Sequence, residues 1–186
     1  MAGYLTAAVF EWLVVAFIWM GLRLRRNSLR GLLGQTWLSW RRLLQDLGLA
    51  VIFLVVSNII LAVLAVALKA KPSQALRSLY PKGTGEIIAF LLLSLTAGIC
   101  EEIIFRGYLQ RQLTLLSKSA ATGVIVQGIL FGCAHGYQGS KYMAMISVYG
   151  CLFGVMAYWR RSLLPGMTAH FLQDGVLGLL VGLAQR

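Results

Sequence analysis

The chain has 186 residues, of which 59% are hydrophobic and 12% charged. A soluble domain of this length does not need so much apolar surface, so the composition excludes a soluble globular protein and indicates a polytopic membrane protein. The formal net charge of +11 raises the possibility of a nucleic-acid-binding protein, but the basic residues flank apolar runs and form no basic domain with interleaved aromatic residues. We therefore expect no nucleic-acid partner and attribute the charge to membrane topology.

Six apolar runs approach the roughly 20 residues that a helix needs to cross a bilayer. They predict an all-α fold, a polytopic transmembrane helix bundle of about six spans in one membrane domain, residues 1–186. Two spans and a basic segment make up residues 1–84, and spans 3–6 form a core over residues 85–183. Glu11 interrupts the first run and its arginines follow it, which argues against a cleaved signal peptide. The runs cover residues 4–22, 43–68, 86–112, 119–137, 141–159 and 163–183.

The segment SLRGLLGQTWLSWRRLL, which starts at Ser28, separates the first two spans. Its leucines and tryptophans recur at helical spacing with arginines elsewhere, a pattern that predicts a helix lying in the membrane interface. Trp side chains would then sit at headgroup depth, and the Arg-rich loop 23–42 would contact anionic lipids of the bilayer. The alternative is a polar loop that leads into an early second span.

The loops divide the basic residues unequally between the two sides of the membrane. Six spans place both termini on one side, and the side of loop 23–42 then gathers ten basic residues against six on the other. Because positive charge concentrates in cytoplasmic loops, both termini are predicted to face away from the cytoplasm. The ten are Arg23, Arg25, Arg26, Arg30, Arg41, Arg42, Arg111, Lys118, Arg160 and Arg161.

Ionisable residues within the predicted spans are concentrated in three short stretches. Such groups are costly at bilayer depth unless they are paired or hydrated, so they are functional candidates by default. The set includes half of the six acidic residues and both histidines. Its members are Glu101, Glu102 and Arg106 in the third span, His135 at the end of the fourth, and His170 and Asp174 in the sixth.

Helical spacing gives the two neighbouring glutamates different surroundings. Glu102 and Arg106 are four residues apart and share one face, so they are expected to pair. Glu101 points about 100° away from Glu102 and is left free. His170 and Asp174 are also four apart, which allows the carboxylate to orient the imidazole.

Depth within the membrane links Glu101 to His135. The predicted turn between the third and fourth spans is at Lys118, and both residues lie 17 positions from it, about 25 Å along each helix. They are therefore expected at the same depth. His170 is nearer to its own turn at Arg160 and Arg161, and the same arithmetic does not require it to join them.

Glycines at four-residue intervals predict closely packed helices. They occur in three successive spans, which indicates a compact bundle around the polar residues. The series are Gly128, Gly132 and Gly136, then Gly150 and Gly154, then Gly178 and Gly182.

The polar stretches EEIIFR, FGCAH and HFLQD begin at Glu101, Phe131 and His170. They resemble the EExxxR, FxxxH and HxxxN/D motifs of the CPBP family, the CAAX-processing and bacteriocin-processing intramembrane proteases that include type II CAAX prenyl endopeptidases. The resemblance extends over about residues 85–180, which would make spans 3–6 the catalytic core. Residues 1–84 match no motif of the family.

The resemblance implies a glutamic-type endopeptidase that needs no cofactor. Glu101 would be the general base that activates water, with His135 beside the same water, and Glu102 and Arg106 would be the supporting ion pair. His170 would stabilise the oxyanion. Asp174 stands where an Asn could donate a hydrogen bond, so it would instead orient His170 or carry a proton.

The implied substrate is a membrane-associated or membrane-anchored protein that is cleaved near its C-terminus or its anchor. The resemblance does not distinguish a prenylated CAAX terminus from a bacteriocin leader or a C-terminal sorting tail. The small size of the chain favours a prokaryotic maturase in the inner (plasma) membrane.

Two other functions use the same residues. Glu101, His135 and His170 are a possible ligand set for a catalytic zinc with one open position, although the chain has no HExxH-like spacing. A proton-coupled transporter would also need buried ionisable groups, but we find no inverted repeat and no pair of interrupted spans.

Overall fold

The computed structural model describes residues 2–35, 39–71, 78, 80–81 and 83–180. Within these ranges the chain forms seven helices and no β-strand, which confirms the predicted all-α class. The helices are α1 (Ala2–Leu24), α2 (Leu29–Leu33), α3 (Trp40–Ala67), α4 (Thr84–Ser117), α5 (Ala120–Ala134), α6 (Ser140–Arg160) and α7 (Leu164–Phe171).

The predicted spans coincide with helices over the described residues, and residues 181–183 of the sixth span lie outside them. The helices differ in length. In the described part of the chain α1, α3, α4 and α6 are long and apolar enough to cross a membrane. The apolar helix α5 has only 15 residues because it ends at Ala134, ahead of a 3₁₀ turn over Gly136–Gln138. A π-helical segment, Leu172–Leu177, extends α7. That α5 and α7 also cross the membrane stays a prediction.

The single interfacial helix predicted after Ser28 is not formed. The helix α2 stops after five residues at Gly34, whose φ of 74° is favourable for glycine and interrupts the α-helix. The next helix begins at Trp40, capped by the Ser39 hydroxyl, which accepts a hydrogen bond from the backbone N–H of Arg42. The structure is therefore closer to the alternative given above, in which a loop leads into a second span that begins early, here at Trp40. Residues 36–38 of the predicted helix lie outside the described residues.

Basic residues in the left-handed conformation follow the C-terminal ends of four helices: Arg26 after α1, Lys69 after α3, Lys118 after α4 and Arg161 after α6, with φ between 49° and 57°. Positive charge is favourable there because it opposes the negative end of the helix dipole. Lys118 forms the turn between α4 and α5, as the sequence predicts.

Glycines bring α5 and α6 into direct contact. A Cβ atom on Gly128 would lie 2.8 Å from the backbone nitrogen of Cys151, and one on Gly132 would lie 2.5 Å from the carbonyl oxygen of Met143. Gly136 differs from the other two, because nothing lies closer than 3.8 Å to a Cβ placed there. The predicted close packing therefore holds for the first two members of this series and is wrong for the third.

The segments that the charge distribution assigns to one side of the membrane meet at one end of the bundle. Arg111 donates hydrogen bonds to the carbonyl oxygens of Gly31 (2.7 Å) and Leu32 (2.8 Å). The Arg160 guanidinium is 2.7 Å from a carboxylate oxygen of Asp46. These contacts fix the C-terminal end of α6, the start of α3 and the α2 segment against the same end of α4.

Candidate active site

A buried ion pair lies on the face of α4 that points away from Glu101. A guanidinium nitrogen of Arg106 lies 2.8 Å from Oε1 of Glu102, and both side chains are fully buried. The pair forms although residues Glu102–Leu109 are π-helical rather than α-helical. Short π-helical segments often occur at functional sites. The predicted pairing of these two side chains is thus present in the structure.

Aromatic rings and a backbone carbonyl hold the Arg106 side chain in place. Its guanidinium carbon is 4.2 Å from the ring centroid of Phe131 and 4.9 Å from that of Phe153. It also donates to the carbonyl oxygen of Gly150 at 3.3 Å, which accepts a second hydrogen bond from Gln127 at 2.9 Å. Cation–π contacts of this kind are stronger away from water, so helices α4, α5 and α6 meet around one shielded charge.

Glu101 faces the opposite way, into a cavity of about 930 Å³ that we call the reaction cavity. The side chain is 16% exposed, whereas Glu102 does not line the cavity at all. Helices α1, α3, α4, α5, α6 and α7 all contribute to its wall. Its polar and charged lining includes Glu11, Asn58, Glu86, Glu101, His135, His170, Gln173, Asp174 and five tyrosines.

His170 is the junction of three carboxylates. Its Nδ1 lies 3.2 Å from Oε1 of Glu102, and its Nε2 lies 3.5 Å from Oε2 of Glu101 and 3.5 Å from Oδ2 of Asp174. Only 4% of the His170 side chain is exposed, against 43% for Asp174. The imidazole therefore connects the buried ion pair to the reaction cavity.

Two glycines allow α7 to approach α4 closely enough for this contact. A Cβ on Gly98 would lie 3.1 Å from the carbonyl oxygen of Met167, and one on Gly166 would lie 2.9 Å from Oε2 of Glu102. Larger residues at either position would push α7 outward. The spacing of residues along the sequence does not predict that His170 meets the two glutamates. In the structure it contacts both.

His135 ends α5 at the edge of the reaction cavity. Its Nδ1 is 2.9 Å from the carbonyl oxygen of Phe131. Because a carbonyl can only accept, Nδ1 carries the proton and Nε2 keeps its lone pair in the neutral ring. His135 and Glu101 line the same cavity. That they lie at the same membrane depth stays a prediction.

A family model for type II CAAX prenyl endopeptidase Rce1-like proteins matches residues 83–176, just over half of the chain. This chain belongs to the Rce1-like CAAX endopeptidase family. It is also 32% identical over 88 residues to the uncharacterized protein YpbD of Bacillus subtilis (strain 168). That alignment covers 46% of this chain and 42% of YpbD, less than half of either protein. No solved structure matches the chain.

The Rce1-like region contains all six site residues predicted from the sequence. Four of them line the reaction cavity: Glu101, His135, His170 and Asp174. The other two, Glu102 and Arg106, form the ion pair behind it. The fold is thus that of a helical membrane protein whose family is one of membrane proteases, with the predicted residues gathered around one cavity.

Sequence reasoning missed the contributions of the N-terminal helices. Glu11 of α1 and Asn58 of α3 line the reaction cavity, and the Asn58 side chain donates to Oε1 of Gln173 at 2.7 Å. The signal for Glu11 is its isolation as one acid in an apolar run. Gln173 lies inside HFLQD, three residues after His170.

Among the residues that the structure describes, no three His, Cys, Asp or Glu side chains are arranged to hold a metal ion. This applies to Glu101, His135 and His170, the set considered for zinc. Metal independence of the reaction stays a prediction.

Proposed function

We propose that the protein is an intramembrane endopeptidase in which Glu101 activates a water molecule for attack on a peptide bond. The observation that carries this proposal is the reaction cavity, where the Glu101 carboxylate and both histidines of the Rce1-like region face one space between the helices. The Glu101 side chain is only 16% exposed, and shielding from bulk water strengthens the electrostatic effects that such chemistry needs.

Glu101 and His135 would act on the same water. The Glu101 carboxylate would accept a proton from it while the water oxygen forms a bond to the carbonyl carbon of the substrate. His135 would accept a second hydrogen bond at Nε2 and so aim the water. Its Nδ1 is held by the Phe131 carbonyl, which fixes the ring orientation before the substrate arrives.

His170 would stabilise the oxyanion that forms on the carbonyl oxygen. Each of its ring nitrogens faces a carboxylate oxygen, and an ionised carboxylate only accepts, so both nitrogens are placed to donate. A ring that donates at both positions carries positive charge. Asp174 would orient this ring, a role that its 3.5 Å contact with Nε2 supports.

The second half of the reaction returns the proton. Collapse of the tetrahedral intermediate breaks the C–N bond, and the proton held by Glu101 passes to the leaving nitrogen. The products are one carboxylic acid and one amine, and Glu101 is again a carboxylate. Through both halves Glu102 would stay bound to Arg106 and keep His170 at its position, which makes it a positioning residue.

The substrate would be a membrane-associated or membrane-anchored protein cut near its C-terminus or its anchor. Glu86, which also lines the cavity, is 15 residues from Glu101 along α4, about 22 Å at the rise of a helix. A peptide could therefore enter from the end of the bundle where α1 and α4 begin. The exposed arginines of loop 23–42 would contact anionic lipids at the other end.

Cleavage can be tested without knowing the substrate. Membranes from prokaryotic cells that express the wild-type chain or Glu101→Gln would be compared by mass spectrometry of new protein N-termini. We expect a small set of cleavages present only with the wild type, in membrane-anchored proteins. Identical sets of N-termini in the two samples, at equal amounts of folded protein, would contradict the proposal.

Both termini are predicted to face away from the cytoplasm of a prokaryotic inner membrane. A cysteine in a tag at either terminus should react with a membrane-impermeant maleimide in intact cells. A cysteine in the turn at Arg161 should react only after lysis. A C-terminal tag that reacts only after lysis would reject this topology.

A further inference from the structure

Five of the six acidic residues fall into two classes according to their partners. Glu102 is paired with Arg106 and Asp46 with Arg160. By contrast, Glu11, Glu101 and Asp174 line the reaction cavity, and none of them has an arginine or lysine ion pair among the described residues. The chain has 17 Lys and Arg residues, so this unequal distribution is not caused by a lack of cations.

Glu11 reaches the cavity from α1, outside the Rce1-like region. It shares a face of that helix with Tyr4 and Ala7, which also line the cavity. Its Oε2 atom is buried and has no hydrogen-bond partner in the described part of the chain. The carboxyl is close enough to interact electrostatically with Glu101, His170 and Asp174.

The charges around the cavity do not balance. No lysine or arginine is found in the described lining, where the two histidines are the basic side chains that can offset Glu11, Glu101 and Asp174. Burying carboxylates together is unfavourable unless one takes up a proton or a cation joins them. His170 already contacts Glu101, Glu102 and Asp174, which leaves the Glu11 carboxyl without a counter-charge of its own.

The remaining polar lining suits an organic cation. Five of the seven tyrosines in the chain line the cavity, and aromatic faces attract ammonium and guanidinium groups. A metal ion fits less well, since no group of three ligating side chains in the described residues has the required arrangement. The five are Tyr4, Tyr80, Tyr137, Tyr142 and Tyr149.

We propose that Glu11 binds a basic side chain of the substrate, a lysine or an arginine next to the bond that is cut. This inference rests on the proposed protease function and names its substrate class. Glu11 then acts as a specificity-determining residue: its carboxylate pairs with the incoming cation, and the complex becomes closer to neutral. The same pairing relieves the repulsion between Glu11 and Glu101, so Glu101 can stay ionised as a base.

Cation binding can be measured independently of cleavage. The purified full chain in detergent would be melted with hexylguanidinium or with hexylurea, a neutral analogue of similar shape. We expect hexylguanidinium to raise the melting temperature of the wild type by several degrees more than hexylurea does. Glu11→Gln should lose most of that difference, while Glu11→Asp, which keeps the charge, should retain part of it.

Trp12→Leu is the matched control on the same helix. Trp12 lies outside the reaction cavity in a shallow apolar groove on the outer side of α1 and is 48% exposed. Its variant should keep the full difference between the two compounds. Equal responses to hexylguanidinium and hexylurea in the wild type, or an unchanged difference in Glu11→Gln, would overturn the assignment of Glu11 as a cation site.

The second arm uses a protein that the wild type cleaves and Glu101→Gln does not. Lysine or norleucine would be placed in turn at each position flanking the cleaved bond. At the best position we expect lysine to be preferred in kcat/KM, and Glu11→Gln to reduce that preference about tenfold, the size of one charged hydrogen bond. A preference that is absent, or that survives in Glu11→Gln but not in Trp12→Leu, would reject the inference. Absence of any Glu101-dependent cleavage would instead reject the protease function, whatever the melting experiments show.

Discussion

The two faces of α4 each carry a glutamate carboxylate, and the two carboxylates differ in burial and in ionic partner. On the rear face the Glu102 carboxylate is fully buried and bound to Arg106, in contact with α5 and α6. On the front face the Glu101 carboxylate is partly exposed to the reaction cavity and shares one histidine with Asp174. The Glu102 carboxylate has the charge of Arg106 beside it before any ligand binds, whereas no arginine or lysine in the described residues pairs with Glu101.

Under the proposed function, the two faces of α4 explain how one helix can hold a reactive carboxylate inside a membrane. On the rear face an ion pair offsets the cost of burying charge, and Glu102 of that pair contacts His170 at 3.2 Å. The front carboxylate then has a defined position without a permanent counter-charge. Adjacent residues of one type can therefore serve structure and chemistry separately.

The largest expected effect is that of Glu101→Gln on turnover. Glutamine keeps the shape and one hydrogen-bonding oxygen but cannot accept the proton from water, so kcat should fall by about 10² to 10⁴-fold. The melting temperature should stay near that of the wild type, because the change removes a charge from an acidic cavity. Single-turnover cleavage and a melting curve on the same preparation measure both.

Glu102→Gln should act mainly on stability. It leaves the Arg106 guanidinium buried without its ionic partner, and such truncations cost about 3–5 kcal/mol. We expect a much lower melting temperature or yield in detergent, with activity reduced in proportion to the folded fraction. The double variant Glu102→Gln/Arg106→Met removes both charges and should recover part of the loss. A single variant that melts like the wild type would show that the rear pair does not support the fold.

Gly132→Ala tests whether the contact between α5 and α6 supports the rear face. The added Cβ would overlap the Ser147 hydroxyl and lie 2.5 Å from the carbonyl oxygen of Met143, so α5 and α6 must separate. Overpacking of this kind costs about 1–3 kcal/mol.

Gly136→Ala is the control for this substitution, because its Cβ would meet no atom closer than 3.8 Å. Its melting temperature should match that of the wild type. Equal melting temperatures for the two alanine variants would show that glycine packing does not stabilise this helix pair.

The smallest expected effect is that of metal removal. Because Glu101 would supply the base and His170 the oxyanion contact, cleavage should proceed unchanged with EDTA or phenanthroline present. Elemental analysis of the purified chain provides the check. Zinc in a one-to-one ratio, together with loss of activity on chelation and recovery on zinc addition, would favour the metal-dependent alternative. It would contradict the proposed role of Glu101 as a base that acts without a metal.

The sequence predicted the two faces of α4 well, because both depend on local helical geometry. The Glu102–Arg106 pair follows from a separation of four residues, and it survives the change from α- to π-helix. The turn at Lys118 is where the sequence predicts it, and Glu101 and His135 on either side of it line the same cavity. These contacts lie within one helix or one hairpin.

What the sequence could not predict depends on contacts between distant segments. The approach of His170 to both glutamates requires Gly98 of α4 to pack against Met167, and Gly166 of α7 to pack against Glu102. Periodicity does not reveal which glycines make such contacts. Glu11 lies on α1, which is outside the region that the family model matches. The helix expected after Ser28 stops at Gly34 because the chain there turns to pair with Ser162, more than 120 residues away.

The central claim is that Glu101 performs the chemistry and Glu102 holds the fold. Turnover per folded molecule, measured for Glu101→Gln and Glu102→Gln in the same proteoliposomes with the same substrate, tests it directly. The account predicts that Glu102→Gln keeps turnover at least about tenfold above Glu101→Gln once the folded fraction is counted. If Glu101→Gln retains wild-type turnover while Glu102→Gln is fully stable but inactive, the two roles are reversed and the account is wrong.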